Sequence, residues 1–519
     1  MSTTQLAARV TASPGQGAVR LSIVAMGLGY AITGADPTIL STNLVKVEHG
    51  LQLSSNTGSF MASLATLSLA ATILGAGTLG DLYGKKRLFV YGLVGTIVFD
   101  LLAAAAPNAA VLLIARALVG VSFALLLGLS LAIVSASVPG EKRAGAIGTY
   151  LASAFIVSAP MPLIGSALAD AFGWRTLFLV APLFALVTLP LVLRYTPEIP
   201  ATPGRPLDVT GIVAAAVMLL SLVFGISQLQ GGLTSTSVVP IVVAVVAGAF
   251  FVWWEFRTAH PALDIGLFRQ RNFSVAVAAG IAFNFLTGGL TVVIGYYVVA
   301  VKGDSTFTTA LFFLPAAAAQ AVSAVLAGRL VQRRSARLTM ALGLGFLIAA
   351  CLVYAVLRQS TPLIVLGLAM VLMSVGNAFT QTPESDLMMS SAPPEQGGSV
   401  AAVKSGIGQA FYSLGPSVMT LLVGGFFLAR WHGELAKRGY STEQADQALQ
   451  TAQSSIEGHL GASSSLNPDL LNQIVLGAQN VLAGAISTTC LIIAVIPVIA
   501  LLVTWLGLRD AKRPRLRRA

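Results

Sequence analysis

Charge is what this chain has least of. Asp, Glu, Lys and Arg make up 10% of its 519 residues, against roughly 25% in soluble domains, while 55% are hydrophobic and the mean hydropathy is +0.83. A soluble globular domain is excluded, and the bulk of the chain belongs in lipid. Cysteine is scarce too: Cys351 and Cys490 both fall inside long apolar segments, so no disulfide framework is implied. The four histidines, His49, His260, His432 and His459, lie in or beside polar stretches. Carboxylates are left to carry any proton chemistry within the membrane. No Gly-x-x-x-x-Gly-Lys-Ser/Thr phosphate loop occurs, which argues against an ATP-driven pump in this chain. Gly75-Ala-Gly77-Thr-Leu-Gly80 satisfies the dinucleotide pattern, but it closes an apolar helix instead of following a strand and reads as packing glycine. Nor does the sequence offer a convincing His or Cys cluster, or paired carboxylates near the membrane surface, of the kind a membrane enzyme needs.

What is there instead is a train of apolar runs of about 20 residues, enough to cross roughly 30 Å of hydrocarbon. Fourteen can be counted, at 21–45, 57–79, 88–106, 109–137, 144–168, 174–193, 208–228, 238–256, 273–300, 308–330, 338–356, 362–383, 401–428 and 478–508. The first is longer than a signal-peptide core and ends in no small-residue cleavage site, so it reads as a retained helix. Placing residues 1–20 in the cytoplasm puts most of the 31 Lys and Arg residues on that side, among them Lys85 to Arg87, Lys142, Arg143, Arg329 to Arg337, Lys404 and a basic tail at 509–519. The outside receives seven, Lys46, Arg175, Lys302, Arg358, Arg430, Lys437 and Arg438, and Arg116 lies inside a span. This asymmetry supports an even number of spans with both termini cytoplasmic, in a protein expected in the inner or plasma membrane. It also accounts for the net charge of +11 without nucleic acid, because the bases sit in short clusters between apolar runs and not on one amphipathic face.

The loop after the second span reads Gly77-Thr-Leu79-Gly80-Asp81-Leu-Tyr-Gly84-Lys85-Lys86-Arg87, and a weaker copy after the tenth reads Gly328-Arg-Leu330-Val-Gln332-Arg333-Arg334-Ser-Ala-Arg337. Glycines permit a tight turn, an acid can sit at a helix N-terminus, and the bases hold the turn at the membrane surface. Anchoring by bases alone explains neither Asp81 nor the glycine spacing, so a conformational gate is the favoured reading. The loop resembles the signature of the major facilitator superfamily. Further segments resemble its fourteen-helix, proton-coupled drug-exporter branch: Asp36-Pro-Thr38-Ile39-Leu-Ser-Thr-Asn43, Arg116-Ala-Leu-Val-Gly120, Gly173-Trp174-Arg175, Leu207-Asp208-Val-Thr-Gly211, and His260-Pro261-Ala-Leu through Leu267-Phe268-Arg269. The fifth-helix antiporter motif, Gly-Pro-x-x-Gly-Gly, is matched imperfectly by Met161-Pro162-Leu-Ile-Gly165-Ser166, with Gly148 upstream and an additional Pro160.

The resemblance implies an all-α integral membrane protein of the major facilitator fold, with two six-helix halves at 21–196 and 258–508 and an inserted pair of helices within 197–257. It implies alternating access and export of amphipathic or cationic drugs, or related hydrophobic compounds, driven by the proton gradient, with no cofactor, in a monomer embedded in the bilayer. Export of a native lipid or secondary metabolite, or proton-coupled import of a small solute, is the alternative. A cavity rich in apolar side chains would favour lipid or drug cargo; hydrogen-bonding groups converging at mid-depth would favour a polar solute. A sensor without transport is the remaining class.

A bare charge at mid-bilayer costs about 2.5 to 3.5 kcal/mol, so each one needs water or a partner. Asp36, Asp100 and Arg116 qualify most clearly. Asp36 and Arg116 are read as a cavity-facing pair in which protonating the acid frees the arginine, or else as a permanent tie between the first and fourth helices. Asp100 either lines the outer half of the cavity or occupies an interfacial pocket. Glu384 and Asp386 follow Pro383 at the end of the twelfth span, as a solvated helix end or as acids at the inner mouth. Asn43, Asn284, Gln320 and Asn377 are unassigned polar residues within spans. Residues 429–477 form the one long polar insert, with Ser441-Thr-Glu-Gln444 opening a short amphipathic helix.

Overall fold

A computed structural model describes residues 16–53, 55–199, 201, 208–229, 233–258, 261, 265–304, 306–437 and 468–508. Fourteen helices are long and apolar enough to cross a membrane: α1 (Gln16–Thr42), α2 (Phe60–Tyr83), α3 (Lys85–Ala104), α4 (Ala109–Ala136), α5 (Gly140–Phe172), α6 (Trp174–Tyr195), α7 (Val209–Ile226), α8 (Ser235–Glu255), α9 (Arg271–Val301), α10 (Leu311–Arg333), α11 (Ala336–Ala355), α12 (Leu363–Ser390), α13 (Gly397–Trp431) and α14 (Leu476–Gly507). The described residues contain no strand. Helices satisfy their own backbone groups, which lipid cannot do.

Local chemistry marks the ends. Asn108, Asp208 and Ser335 cap α4, α7 and α11 by accepting from Val111, Gly211 and Leu338 backbone N–H groups. Gly84 turns the chain between α2 and α3 at φ 103°, a conformation that favours glycine. Helix α5 is interrupted between Ser158 and Met161, where Pro160 and Pro162 remove backbone donors.

Several boundaries differ from those the apolar runs suggest. Helix α12 does not end at Pro383 but continues to Ser390, and the following helix begins at Gly397 and runs to Lys437. In the extended end of α12, neighbouring helices bury Glu384, Ser385 and Asp386. The amphipathic helix expected from Ser441 lies outside the described residues.

Helices α2 and α13, and α5 and α10, pack across the middle of the bundle, with α4 also touching α13. Helix α7 packs on α2 and α13, whereas α8 packs mainly on α7. The outer face of α8 presents Val238, Val239, Val242, Val245 and Val246, as suits a helix bathed in lipid. The buried apolar residues form two clusters. One is confined to α9–α14; the other, centred on α1–α6, also takes in Val400, Ala401, Ala402 and Val403 of α13 and Ala321 and Ala324 of α10. The two sides of the bundle are thus fused at the end that carries the α2–α3 loop.

Candidate functional site: a central cavity and its buried charges

Between the fused end and the opposite end lie two adjoining cavities of about 730 and 580 Å³, which share Tyr30, Gly34, Thr38, Gln320, Asn377 and Tyr412. Their walls differ in chemistry. Helices α1, α2, α4 and α5 contribute Tyr30, Leu69, Phe123, Leu127, Leu131 and Phe155; helices α9, α10, α12 and α13 contribute the amides Asn284, Gln320, Asn377, Gln381 and Gln409. Tyr30 stacks on Tyr150 with ring centroids 5.6 Å apart, and the Tyr150 and Ser130 hydroxyls lie 2.8 Å apart. Asn284, Gln320 and Asn377 are therefore wall residues, while Asn43 instead ties helices by donating to Ser166 Oγ at 2.9 Å. An apolar groove between α7 and α8, lined by valines and Phe250, faces outward and is separate from this cavity.

Behind the α1 wall is a closed triad. Arg116 Nη2 donates to Asp36 Oδ2 at 2.7 Å, and Nη1 lies 3.5 Å from Asp100 Oδ1. The Arg116 guanidinium carbon sits 5.8 Å from the Phe178 ring centroid. Arg116 and Asp100 are fully buried and Asp36 is 3% exposed. The pair is thus not cavity-facing as expected: Gly34, Pro37 and Thr38 line the cavity, and at 100° per residue Asp36 turns away from them toward α3 and α4. Asp100 belongs to the same cluster and lines neither cavity. Neither Asp100 oxygen has a hydrogen-bond partner, nor do Arg116 Nε and Nη1. One guanidinium facing two carboxylates leaves a formal charge of −1, and a single added proton makes the triad neutral.

At the fused end, Asp81 Oδ1 accepts from the Gly398 N–H at 2.8 Å, and its Oδ2 accepts from the Ser399 N–H at 2.9 Å and the Ser399 hydroxyl at 3.0 Å. Lys85 Nζ is 2.7 Å from Asp81 Oδ1. An acid from one side of the bundle therefore caps the first turn of α13 on the other, where the helix dipole favours negative charge. Gly77 permits this approach, since a Cβ on it would lie 2.5 Å from Ala402 Cβ and the Gly398 carbonyl; Gly80 instead packs on α4, where a Cβ would lie 2.1 Å from Leu129. Lys86 points elsewhere, to Glu198 at 3.3 Å, and Arg87 donates to the Tyr91 hydroxyl at 2.8 Å. Gly148, grouped by sequence with the bend in α5, lies instead where α5 crosses α10, and a Cβ there would be 2.3 Å from the Ala324 carbonyl. Gly165 packs on Ile39 of α1.

Glu384 and Asp386 are not a solvated helix end; both are buried. Asp386 accepts from Arg143 Nε at 2.8 Å, linking α12 to the start of α5. Glu384 lies 3.5 Å from Lys404 Nζ. Lys404 itself, counted by sequence among the cytoplasmic bases, lines the cavity. Neither Lys404 nor Arg143 stands out as a site residue in sequence, since each finds its acid on a different span and no local spacing announces the pair.

The comparisons agree with this architecture. The sequence matches the model of the Major Facilitator Superfamily over residues 26–416. It is 32% identical to multidrug resistance protein Stp of Mycobacterium tuberculosis over 79% of this chain and 76% of Stp. It is 28% identical to the multidrug efflux pump LfrA of Mycolicibacterium smegmatis over 96% of this chain and 98% of LfrA. The proton:xylose symporter XylE superposes with a TM-score of 0.57 at 16% identity, over 95% of this chain and 96% of XylE. The human organic anion transporter MFSD10 does so with 0.57 at 16% identity, over 93% and 98%; likeness at that identity concerns the fold alone. The chain is a multi-pass membrane protein belonging to the Major Facilitator Superfamily.

Proposed function

We propose that this protein is a proton-coupled efflux transporter that exports amphipathic compounds by alternating access, with no catalytic chemistry and no cofactor. It works as a monomer in the inner or plasma membrane, with the fused end and both termini cytoplasmic. The observation that carries the reading is the buried triad of Asp36, Arg116 and Asp100 directly behind a wall of the central cavity. The multidrug names of Stp and LfrA support the cargo class. The mixed wall suits a molecule with an apolar body and a hydrogen-bonding end better than a small polar solute or a plain lipid tail.

In this mechanism the triad takes one proton when the cavity faces outward. Protonating Asp36 removes the partner of Arg116 Nη2, and the guanidinium turns fully to Asp100. Helix α1 then shifts, and with it Gly34, Pro37 and Thr38 on the cavity wall, so proton and cargo favour opposite arrangements of one helix. The Asp81 cap on α13 and the Arg143–Asp386 pair hold the cytoplasmic end shut until that exchange is complete. Two discrete packings of the halves are required, and these charged contacts belong to one of them.

The test loads energised cells with ethidium or with carboxyfluorescein and compares wild type with Asp36→Asn at matched expression, with and without a protonophore. Efflux of at least one dye in the wild type, lost with the substitution or with the protonophore, is the expected result. Retention of both dyes by the wild type, or undiminished efflux in Asp36→Asn, would overturn the reading.

A further inference from the structure

Of the residues that line the two central cavities, one is charged: Lys404, on α13. Its only ionic contact among the described residues is Glu384, whose carboxylate lies behind the wall with 3% of its side chain exposed. Glu384 is held there by α9, since a Cβ on Gly280 would come within 2.3 Å of Glu384 Oε1. At 3.5 Å the contact is long for a charge-assisted hydrogen bond, and Glu384 Oε2 accepts none. A lysine ammonium has three donors. The Lys404 side chain, 12% exposed, lines a cavity whose other polar wall groups from the same stretches of α12 and α13, Ser405, Gln381 and Ser385, are neutral.

The acids that would attract a cationic cargo are all withheld from the cavity. Asp36 and Asp100 are sealed with Arg116, Asp386 is held by Arg143, and Glu384 stands behind Lys404. A permanent cation entering this space would meet a like charge and no wall carboxylate. An anionic group would complete the lysine's coordination, and its apolar body would lie against Phe123 and Phe155 across the cavity. Discrimination of this kind uses both attraction to one class and repulsion of the other.

We infer that the central cavity selects amphipathic compounds bearing an anionic group, a carboxylate, sulfonate or phosphate, and that Lys404 is the residue that determines this choice. The inference rests on the efflux reading above for its setting and narrows the cargo. Carrier direction does not enter it, because it concerns which molecule the cavity holds.

The experiment titrates the purified full chain in nanodiscs against carboxyfluorescein and, separately, ethidium, reading fluorescence polarisation for wild type, Lys404→Gln, Lys404→Arg and Glu384→Gln. The expected result is that wild type binds carboxyfluorescein about tenfold or more tightly than ethidium, a margin of about 1.4 kcal/mol. Lys404→Gln loses that margin, Lys404→Arg keeps most of it, and Glu384→Gln binds the anion at least as well as wild type because the ammonium has been released. Rescue by arginine separates a role in charge recognition from one in folding. Wild-type preference for ethidium, no binding of carboxyfluorescein, or equal anion binding by wild type and Lys404→Gln would each overturn the inference. A parallel transport assay in proteoliposomes with an imposed proton gradient keeps the two readings apart. Gradient-driven movement of ethidium without carboxyfluorescein defeats the anion inference and leaves efflux standing, whereas movement of neither dye defeats the efflux reading.

Discussion

Arg116 divides its guanidinium unequally between two carboxylates, with Nη2 2.7 Å from Asp36 Oδ2 and Nη1 3.5 Å from Asp100 Oδ1. The arrangement has one cation for two acids, and the three residues respond differently to removal. Asp36→Asn or Asp100→Asn leaves one acid against one base, a neutral buried pair. Arg116→Gln leaves two buried carboxylates with no counter-charge, and breaking a buried pair in this way costs about 3–5 kcal/mol. Thermal melting of purified protein should therefore fall far more for Arg116→Gln than for either asparagine variant, and the double variant Arg116→Gln with Asp36→Asn should recover part of the loss.

The same arithmetic predicts a functional effect opposite in pattern to the stability effect. In Asp36→Asn and in Asp100→Asn the triad is neutral without an added proton, so both variants should keep their fold yet lose proton movement coupled to cargo. A pH-sensitive dye sealed in proteoliposomes reads this directly on addition of cargo; normal proton flux in Asp100→Asn would remove that residue from the coupling step.

Asp81 makes three hydrogen bonds to the first turn of α13. Losing a helix cap costs about 0.5–2 kcal/mol, and here the lost energy bears on the closure of the two halves. Asp81→Ala should shift the bundle toward opening at that end. Ala402, fully buried against Gly77, is a suitable reporter: as Ala402→Cys it should react slowly with maleimide in the wild-type background and about tenfold faster with Asp81→Ala, the population change expected from about 1.4 kcal/mol.

Gly148 and Gly328 let α5 and α10 approach backbone to backbone, since a Cβ at either would lie 2.3 to 2.5 Å from a carbonyl oxygen of the other helix. Gly148→Val should exclude the closed packing at this end. Spin labels on Lys142 and Arg333 should then report a longer distance than in wild type, with transport lost although the protein remains folded.

Arg143 and Asp386 join the start of α5 to α12 at 2.8 Å in a partly exposed setting. Reversing one charge should slow transport, and reversing both, as Arg143→Asp with Asp386→Arg, should restore much of the rate. A double-mutant cycle on initial rates measures the coupling, expected at about 0.5–3 kcal/mol for residues in contact.

Much of the fold is legible before any coordinates. Fourteen apolar runs, the basic loops between them and the Gly77–Arg87 loop point to a helical transporter, because bilayer thickness sets the length of each run and lipid forbids unsatisfied backbone. Boundaries are less legible where a polar end stays helical. Glu384 and Asp386 follow the apolar run that closes at Pro383 and read as a solvated helix end or as acids at the inner mouth, yet α12 continues through them and its neighbours bury both acids.

The site divides in the same way. That Asp36, Asp100 and Arg116 need partners follows from sequence, since a lone charge in hydrocarbon is costly whichever way the helices pack. Which partners they take, and that they turn from the cavity, depends on the rotation of α1 against α3 and α4, a contact between residues 80 positions apart. Lys404 shows the limit most plainly. Sequence records a base near the start of a span; only the packing of α12, α9 and α13 puts its acid behind the wall and its side chain on the cavity lining. Composition and run length are local quantities set by the solvent around each helix, whereas the facing of a side chain is a collective result of how fourteen helices share one interior.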